Sequence, residues 1–320
     1  MEFGKVDDPG KIDFSLPPDD PLTDELFSRL VPGNQQPLRV YVGGTNWGTK
    51  DWVGTLYPKK TKEKDFLAHY TRQFNTIELN TLFYNLQSKS VIEKWALTAG
   101  DNFLFCPKFL NTISHTRQLE NVRPETDAFI DHMQYFGTKL GPSFLQLSDS
   151  FVPERATVLQ QYVRQLPRDF RVCVELRHED WFGTGGYAQA PGGRNPARTV
   201  AVRDTRQLLT DLGIGSVITD TSGRRDVLHM TLTAPFAFIR FVGNNGHPTD
   251  FARLDEWALR LKRWIDKGLR EIYFFIHSHH ELHSPELARY AVERFNRVCG
   301  TRLAPPVLSN GGQPENLSLF

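Results

Sequence analysis

The stretch "RVCVELRHEDWF" (Arg171 to Phe182) sets a carboxylate, a guanidinium and an imidazole within four positions, directly after a run of strand-like alternation. Such a trio can hold an anion and move a proton, because acids and bases in one place drive each other's pKa values apart. The same chemistry recurs where other apolar runs end. "NTIELN" finishes on Glu78 and Asn80, "NFLFCPK" on Lys108, "PSFLQLS" carries Gln146, "GSVITD" ends on Asp220, "FAFIRFV" carries Arg240, and "EIYFFIH" ends on His277. Trp47 follows the first run.

Successive side chains of a strand point to opposite faces. If Val172, Val174 and Leu176 face helices, then Cys173, Glu175 and Arg177 face the other way. The same alternation sends Glu78, Asn80, Lys108, Gln146, Asp220, Arg240 and His277 to that second face, and the N-terminal ends show no comparable inward set. Taking several ionisable groups into one place costs several kcal/mol per ion. Each strand-end charge alone reads as well as a salt bridge; their recurrence points to a site. Trp47, Trp52, Phe83, Tyr84 and Trp181 follow strands at the same end, either to stack on a ring-shaped ligand or to form an apolar cover.

The elements needed to position these groups are legible as a rhythm. Eight short β-branched or aromatic runs, at 39–45, 75–80, 102–108, 142–148, 171–177, 215–220, 236–242 and 271–277, alternate with amphipathic stretches of helical length. The connection "TSGRRDVLHMTLTAP" is the exception and reads mostly as loop. Eight β/α alternations imply an α/β fold, a (β/α)₈ TIM barrel with its site at the C-terminal strand ends. An open doubly wound sheet is the alternative, but "GGTNWG" lacks the G-x-G-x-x-G spacing. The expected division is an arm over 1–37, the barrel over 38–302 and a tail over 303–320, with 183–198 as an insertion after the fifth strand.

Over 320 residues, a net charge of +1 gives no global field for nucleic acid or anionic membrane. No apolar run is long enough for a bilayer span, and the polar N-terminal stretch has no signal-peptide core. Three cysteines, odd in number and without zinc spacing, fit reduced thiols in a cytoplasm. Cys106 and Cys173 read as packing residues, and no G-x-S-x-G elbow or P-loop is present.

Several segments together resemble one family. "VGGTNWGTKDWVGTLYP", "FNTIELNTLFYNLQS", "FLFCPKFLNTISHTRQL", "KLGPSFLQLSDSF", "CVELRHEDWF" and "FAFIRFVGN" are similar, in order and spacing, to the domain-of-unknown-function 72 family, the YecE-like proteins. The resemblance covers about Val40 to His283 and implies a TIM-barrel fold with no established activity. It implies polar family positions at Glu78, Asn80, Tyr84, Lys108, His115, Gln146, Glu175, Arg177, His178, Trp181, Asp220 and Arg240. Two places depart from it. "RFVGN" stands where the family has R-L-H-G, and "FFIHSHHELH" where it has an Asn-rich strand end.

The expected function is an acid/base enzyme for a small or medium phosphate- or carboxylate-bearing substrate. Glu78, Glu175, His178 and Asp220 would move protons. Trp47, Asn80, Tyr84, Lys108, His115, Gln146, Arg177, Trp181, Arg240 and His277 would bind the substrate. "VGNNGH", with Gly243 and Gly246, is a candidate anion loop. No cofactor is expected; the alternatives are a metal-dependent hydrolase using the His277–His283 cluster and a non-catalytic nucleic-acid or protein binder.

Overall fold

The structure, a computed structural model, describes residues 4–30, 36–182 and 196–309. The strands are β1 (Arg39–Gly43), β2 (Thr76–Leu79), β3 (Leu104–Pro107), β4 (Ser143–Gln146), β5 (Val172–Glu175), β6 (Gly215–Asp220), β7 (Ala237–Gly243) and β8 (Glu271–Ser278). The helices are α1 (Pro21–Arg29), α2 (Phe66–Gln73), α3 (Thr81–Tyr84), α4 (Lys89–Thr98), α5 (Arg123–Met133), α6 (Ala156–Arg164), α7 (Pro196–Leu212), α8 (Pro248–Asp266) and α9 (Ser284–Cys299). No α-helix joins β6 to β7. That stretch holds only a short 3-10 turn, Arg225–Val227, as its poor periodicity predicts.

All ladders are parallel. Six strands run in the order β1-β8-β7-β6-β5-β4, and β2 pairs with β3 in a separate two-stranded sheet. The sheet is therefore not closed, and the expected ring of eight strands is present only as an α/β fold with this six-stranded sheet. The two sheets still touch at both edges. Glu78 donates its N–H to the Gly44 carbonyl at 3.0 Å, and Asn75 braces Val40 and Val42 with its side-chain amide. At the other edge Lys108 and Phe144 form an isolated bridge, with the Phe109 N–H on the Phe144 carbonyl. Gly43 permits the first approach, since a Cβ there would lie 2.0 Å from the Thr76 carbonyl oxygen.

Alternation sorts the apolar residues into two cores. One lies between strands and helices and takes Ile77, Leu145, Val174, Ile218, Ile239 and Phe274. The α8 face Leu254, Trp257, Ala258, Leu261 and Trp264 packs into it, at a helical i, i+3, i+4, i+7 spacing. The second core, on the opposite strand face, joins Cys106, Phe144, Cys173, Val217, Phe238, Tyr273 and Phe275. The polar site stands on this second core. All three cysteines are buried and reduced.

The N-terminal stretch is bound to the α8 side of the molecule. Asp20 caps α1 through the Leu22 N–H, Thr23 donates to the Met230 carbonyl, and Asp19 accepts from Arg260 and Trp264. The Phe14 ring lies under the guanidiniums of Arg225 and Arg253. Among the described residues no helix is long and apolar enough to cross a membrane.

The N-terminal strand ends differ from expectation. Arg39 and Arg171 each bind Glu271 at 2.9 Å, Tyr41 stacks on Tyr273, and together they line a cavity of about 700 Å³. Charge is thus gathered at both ends of the strands. The residues involved lie at or just before the first positions of β1, β5 and β8, where a short alternating run gives no warning.

Candidate active site

The centre of the site is Arg240 on β7. Its guanidinium is wholly buried and grips two carboxylates from distant strands. Nε and Nη2 donate to Glu78 of β2 at 2.8 and 2.9 Å, while Nη1 donates to both Glu175 oxygens of β5 at 3.0 and 2.8 Å. The fork geometry of Arg suits this double grip, and a Lys could not make it.

Around this core the contacts run outward. Arg177 Nε donates to Glu175 Oε1 at 2.7 Å, and Gln146 Nε2 donates to Glu175 Oε2 at 2.8 Å. Gln146 then accepts at Oε1 from Lys108 Nζ at 2.7 Å. Asn80 donates to Glu78 Oε1, and His277 Nε2 meets Glu78 Oε2 at 2.9 Å. Five strands and the segments just after them therefore supply one connected network, with Arg177 and Lys108 at its partly open side. Thr219 shares the Arg240 face by register, and its buried hydroxyl has no hydrogen-bond partner among the described residues.

The electrostatics divide the groups. Burial alone would raise both carboxylates, but the adjacent cations prevail. Arg177 and Arg240 bring Glu175 down to about 2, and Arg240 with His277 hold Glu78 well below the usual carboxylate range. Lys108 goes the other way for an ammonium. Burial, then the Arg240 charge, push it down to about 7 against the pull of Glu175 and Glu78. Burial and the Lys108 and Arg177 charges take His115 down to about 4, so its ring is neutral at physiological pH.

Of the residues anticipated from sequence, Glu78, Asn80, Lys108, Gln146, Glu175, Arg177, Arg240 and His277 are brought together. His115 borders them through Phe83, whose ring lies 5.0 Å from the imidazole and 4.0 Å under Lys108 Nζ. Tyr84, 74% exposed, meets the edge of the same Phe83.

Four are placed elsewhere. Asp220 points to the helix side, where Trp257 donates to it at 2.8 Å and Arg253 and Arg225 ion-pair with it. Val217 and Ile218 are both apolar, so alternation in β6 does not reveal its face; the register pairs Thr219, not Asp220, with Arg240. His178 comes after β5 has ended and caps the turn Glu179–Trp181, facing Asp180. Trp181 is 1% exposed and donates its indole N–H to the Phe151 carbonyl, so it is a core anchor. Trp47 packs edge-on against Trp95.

The candidate anion loop is already occupied from within. The Asp250 carboxylate accepts from the Asn244 N–H at 2.7 and 2.9 Å and from the Gly246 N–H at 3.1 Å. Positive φ at Asn245 (59°) and Gly246 (78°) forms this turn. An Asp250→Ala variant is expected to lose about 2–3 kcal/mol in urea unfolding, because buried N–H groups lose a charged acceptor; a loss under about 0.5 kcal/mol would mean the loop is satisfied without it. The histidine cluster also diverges. His277 turns to Glu78, while the His280 backbone N–H binds Asn245 and His283 lies near Gly246. Among the described residues no group of three or more His, Cys, Asp or Glu could hold a metal ion.

Two site residues were hidden in plain sequence. Phe83 stood among the loop aromatics with no assigned contact. Glu281, inside "HSHHELH", accepts from Ser284 at 2.8 Å and from Thr45 at 3.4 Å, and burial raises its pKa against the opposing pull of His277. Only the strand β8 exit geometry distinguishes it from a surface acid.

The family model described as "Protein of unknown function DUF72" matches residues 41–308. The chain belongs to the DUF72 family. Among DUF72 and YecE-like relatives, it is 27% identical over 285 residues to the UPF0759 protein YecE of Escherichia coli K12, covering 88% of this chain and 100% of that one. It is also 27% identical to the UPF0759 protein YunF of Bacillus subtilis over 157 residues, covering 47% and 55%. Solved DUF72 structures share the fold. One from Enterococcus faecalis superposes with a TM-score of 0.60 at 18% identity, covering 83% of this chain and 99% of that one. One from Thermotoga maritima gives 0.56 at 21%, covering 82% and 100%.

Proposed function

We propose that this DUF72 chain is an acid/base enzyme acting on a small anionic substrate at the C-terminal ends of a (β/α)₈ barrel. The hydrogen bonds at both edges of the two sheets support the barrel reading. One observation carries the functional reading. Among the described residues the carboxylates in ion-pair contact with the buried network are Glu78 and Glu175, both on Arg240 and the second also on Arg177, and neither is within ion-pair distance of Lys108. Lys108 has a neutral amide and an aromatic face as its partners, which leaves its charge to be balanced by a ligand. A phosphate or carboxylate group fits there, with Arg177 beside it.

The roles follow from the protonation states. Glu78 and Glu175 stay ionised and fix Arg240. Glu78 orients His277, whose Nε2–H faces that carboxylate, so the ring is set to exchange a proton at its other nitrogen. Glu281, whose pKa burial raises against the pull of His277, is a second carboxyl placed to exchange a proton there.

The test is anion binding against pH. A bound anion favours the protonated amine, so binding takes up a proton. Affinity for sulfate, whose charge is constant over this range where that of phosphate is not, is expected to be full below pH 7 and to fall as pH rises through about 7, where Lys108 loses its charge. Calorimetric titration in buffers of different ionisation heat reads both affinity and proton uptake. Binding that is flat across this range, or unchanged in Lys108→Met, would sink the reading.

A further inference from the structure

We infer that Lys108 is a covalent catalyst: its amine condenses with the keto carbon of an α-keto acid to form an imine. The inference rests on the anion-site reading and names the substrate class for the same site. Nζ is 2.7 Å from the Gln146 amide oxygen and 4.0 Å from the Phe83 ring centre, with no carboxylate at ion-pair distance among the described residues. The groups that act on it from the surrounding elements are Arg240 of β7, Arg177 and Glu175 after and on β5, and Glu78 of β2. Burial and neighbouring cations are the conditions that leave a lysine unprotonated and nucleophilic near neutrality. Here Lys108 sits at about 7.

An α-keto acid matches the rest of the site. Its carboxylate takes Arg177, which places the adjacent carbonyl carbon toward Nζ. The free amine adds its lone pair to that carbon, giving a carbinolamine. The former carbonyl oxygen then leaves as water with the two protons from nitrogen, and the resulting C=N takes up one proton to become an iminium. No net oxidation or reduction occurs. The iminium draws electrons from the neighbouring carbon, so a proton or a carbon–carbon bond there becomes easier to break. His277 and Glu281 are available to carry that proton.

The experiment is imine trapping. The purified full chain is incubated near neutral pH with pyruvate or glyoxylate and then reduced with sodium borohydride, which delivers hydride to the imine carbon. Peptide mass mapping locates the adduct. The expected result is a borohydride-dependent adduct on Lys108, at least about tenfold above that on exposed lysines. It should be suppressed by inorganic phosphate and lost in Lys108→Arg, which keeps the positive charge. Adducts spread evenly over surface lysines, or none at all, would overturn the inference. Phosphate titration separates the two levels. If phosphate binds and either keto acid displaces it without an adduct on Lys108, the imine alone fails. If phosphate does not bind in the wild type, the anion site fails with it.

Discussion

Replacing Arg240 with methionine is expected to lower the unfolding free energy by about 3–5 kcal/mol at neutral pH, because two buried carboxylates lose their shared partner. Methionine fills similar volume, so cavity formation contributes little. Glu78 and Glu175 are both essentially inaccessible to water, and what remains is two desolvated carboxylates with Arg177 on Glu175 and His277 on Glu78 but no cation between them. The pH dependence identifies the cause. In the wild type both carboxylates have lowered pKa values, so their stabilisation is present above the unfolded value near 4.3 and is lost only as pH falls through the folded values, about 2 for Glu175. Without Arg240, Arg177 still acts on Glu175 and His277 on Glu78, but each carboxylate has lost a cation, so burial weighs more and both pKa values rise from their wild-type positions. The variant's folded state then binds protons more readily than the wild-type fold does, so the deficit shrinks on acidification. Urea melts of wild type, Arg240→Met and a triple variant with Glu78→Gln and Glu175→Gln test this. A deficit that does not vary with pH and is not relieved in the triple variant would show that the array is not an electrostatic unit.

The second large effect is expected at Asp220. Asp220→Ala leaves Arg253, itself 1% exposed, with its Val242 carbonyl and Asp250 contacts but without its main carboxylate, and removes the acceptor of the Trp257 indole. A loss of about 3–5 kcal/mol follows for a broken buried pair. Arg225 and Arg253 also hold the Phe14 ring, so the N-terminal stretch should loosen with the variant. Limited proteolysis before α1 should speed up well before global unfolding. Equal cleavage rates in variant and wild type would show that the stretch is held independently, through Asp19 and Thr23.

What the sequence revealed follows from how much context each residue needs. Glu175, Gln146 and His277 were legible because they sit in runs where the opposite face is unambiguously apolar. Asp220 was not, since Val217 and Ile218 are equally suited to either core and only the pairing register decides between them. His178 and Trp181 were misplaced for another reason: alternation ends with β5, and after it a tight turn sets direction. Closure of the strands was beyond the sequence, because a β/α rhythm reports order along the chain and not the continuity of ladders between β1 and β2 or β3 and β4, where the ladders of the α/β fold are interrupted. The Asp250 turn shows the same limit, as "VGNNGH" reads as an open nest until the next helix supplies a carboxylate.

The N-terminal stretch has a consequence for how the chain matures. Its anchors, Gly4 on Gly223, Thr23 on Met230 and Asp19 on Arg260, join positions more than two hundred residues apart. On a ribosome these residues are made long before their docking surface, which lies in the β6–β7 connection and on α8. Long-range contacts of this kind form late because the loop between them must close first. The polar, proline-rich character of the segment keeps it soluble during that wait. Its attachment should therefore be the final clasp of assembly, and the slowest amide protection to appear in a pulse-labelled refolding experiment.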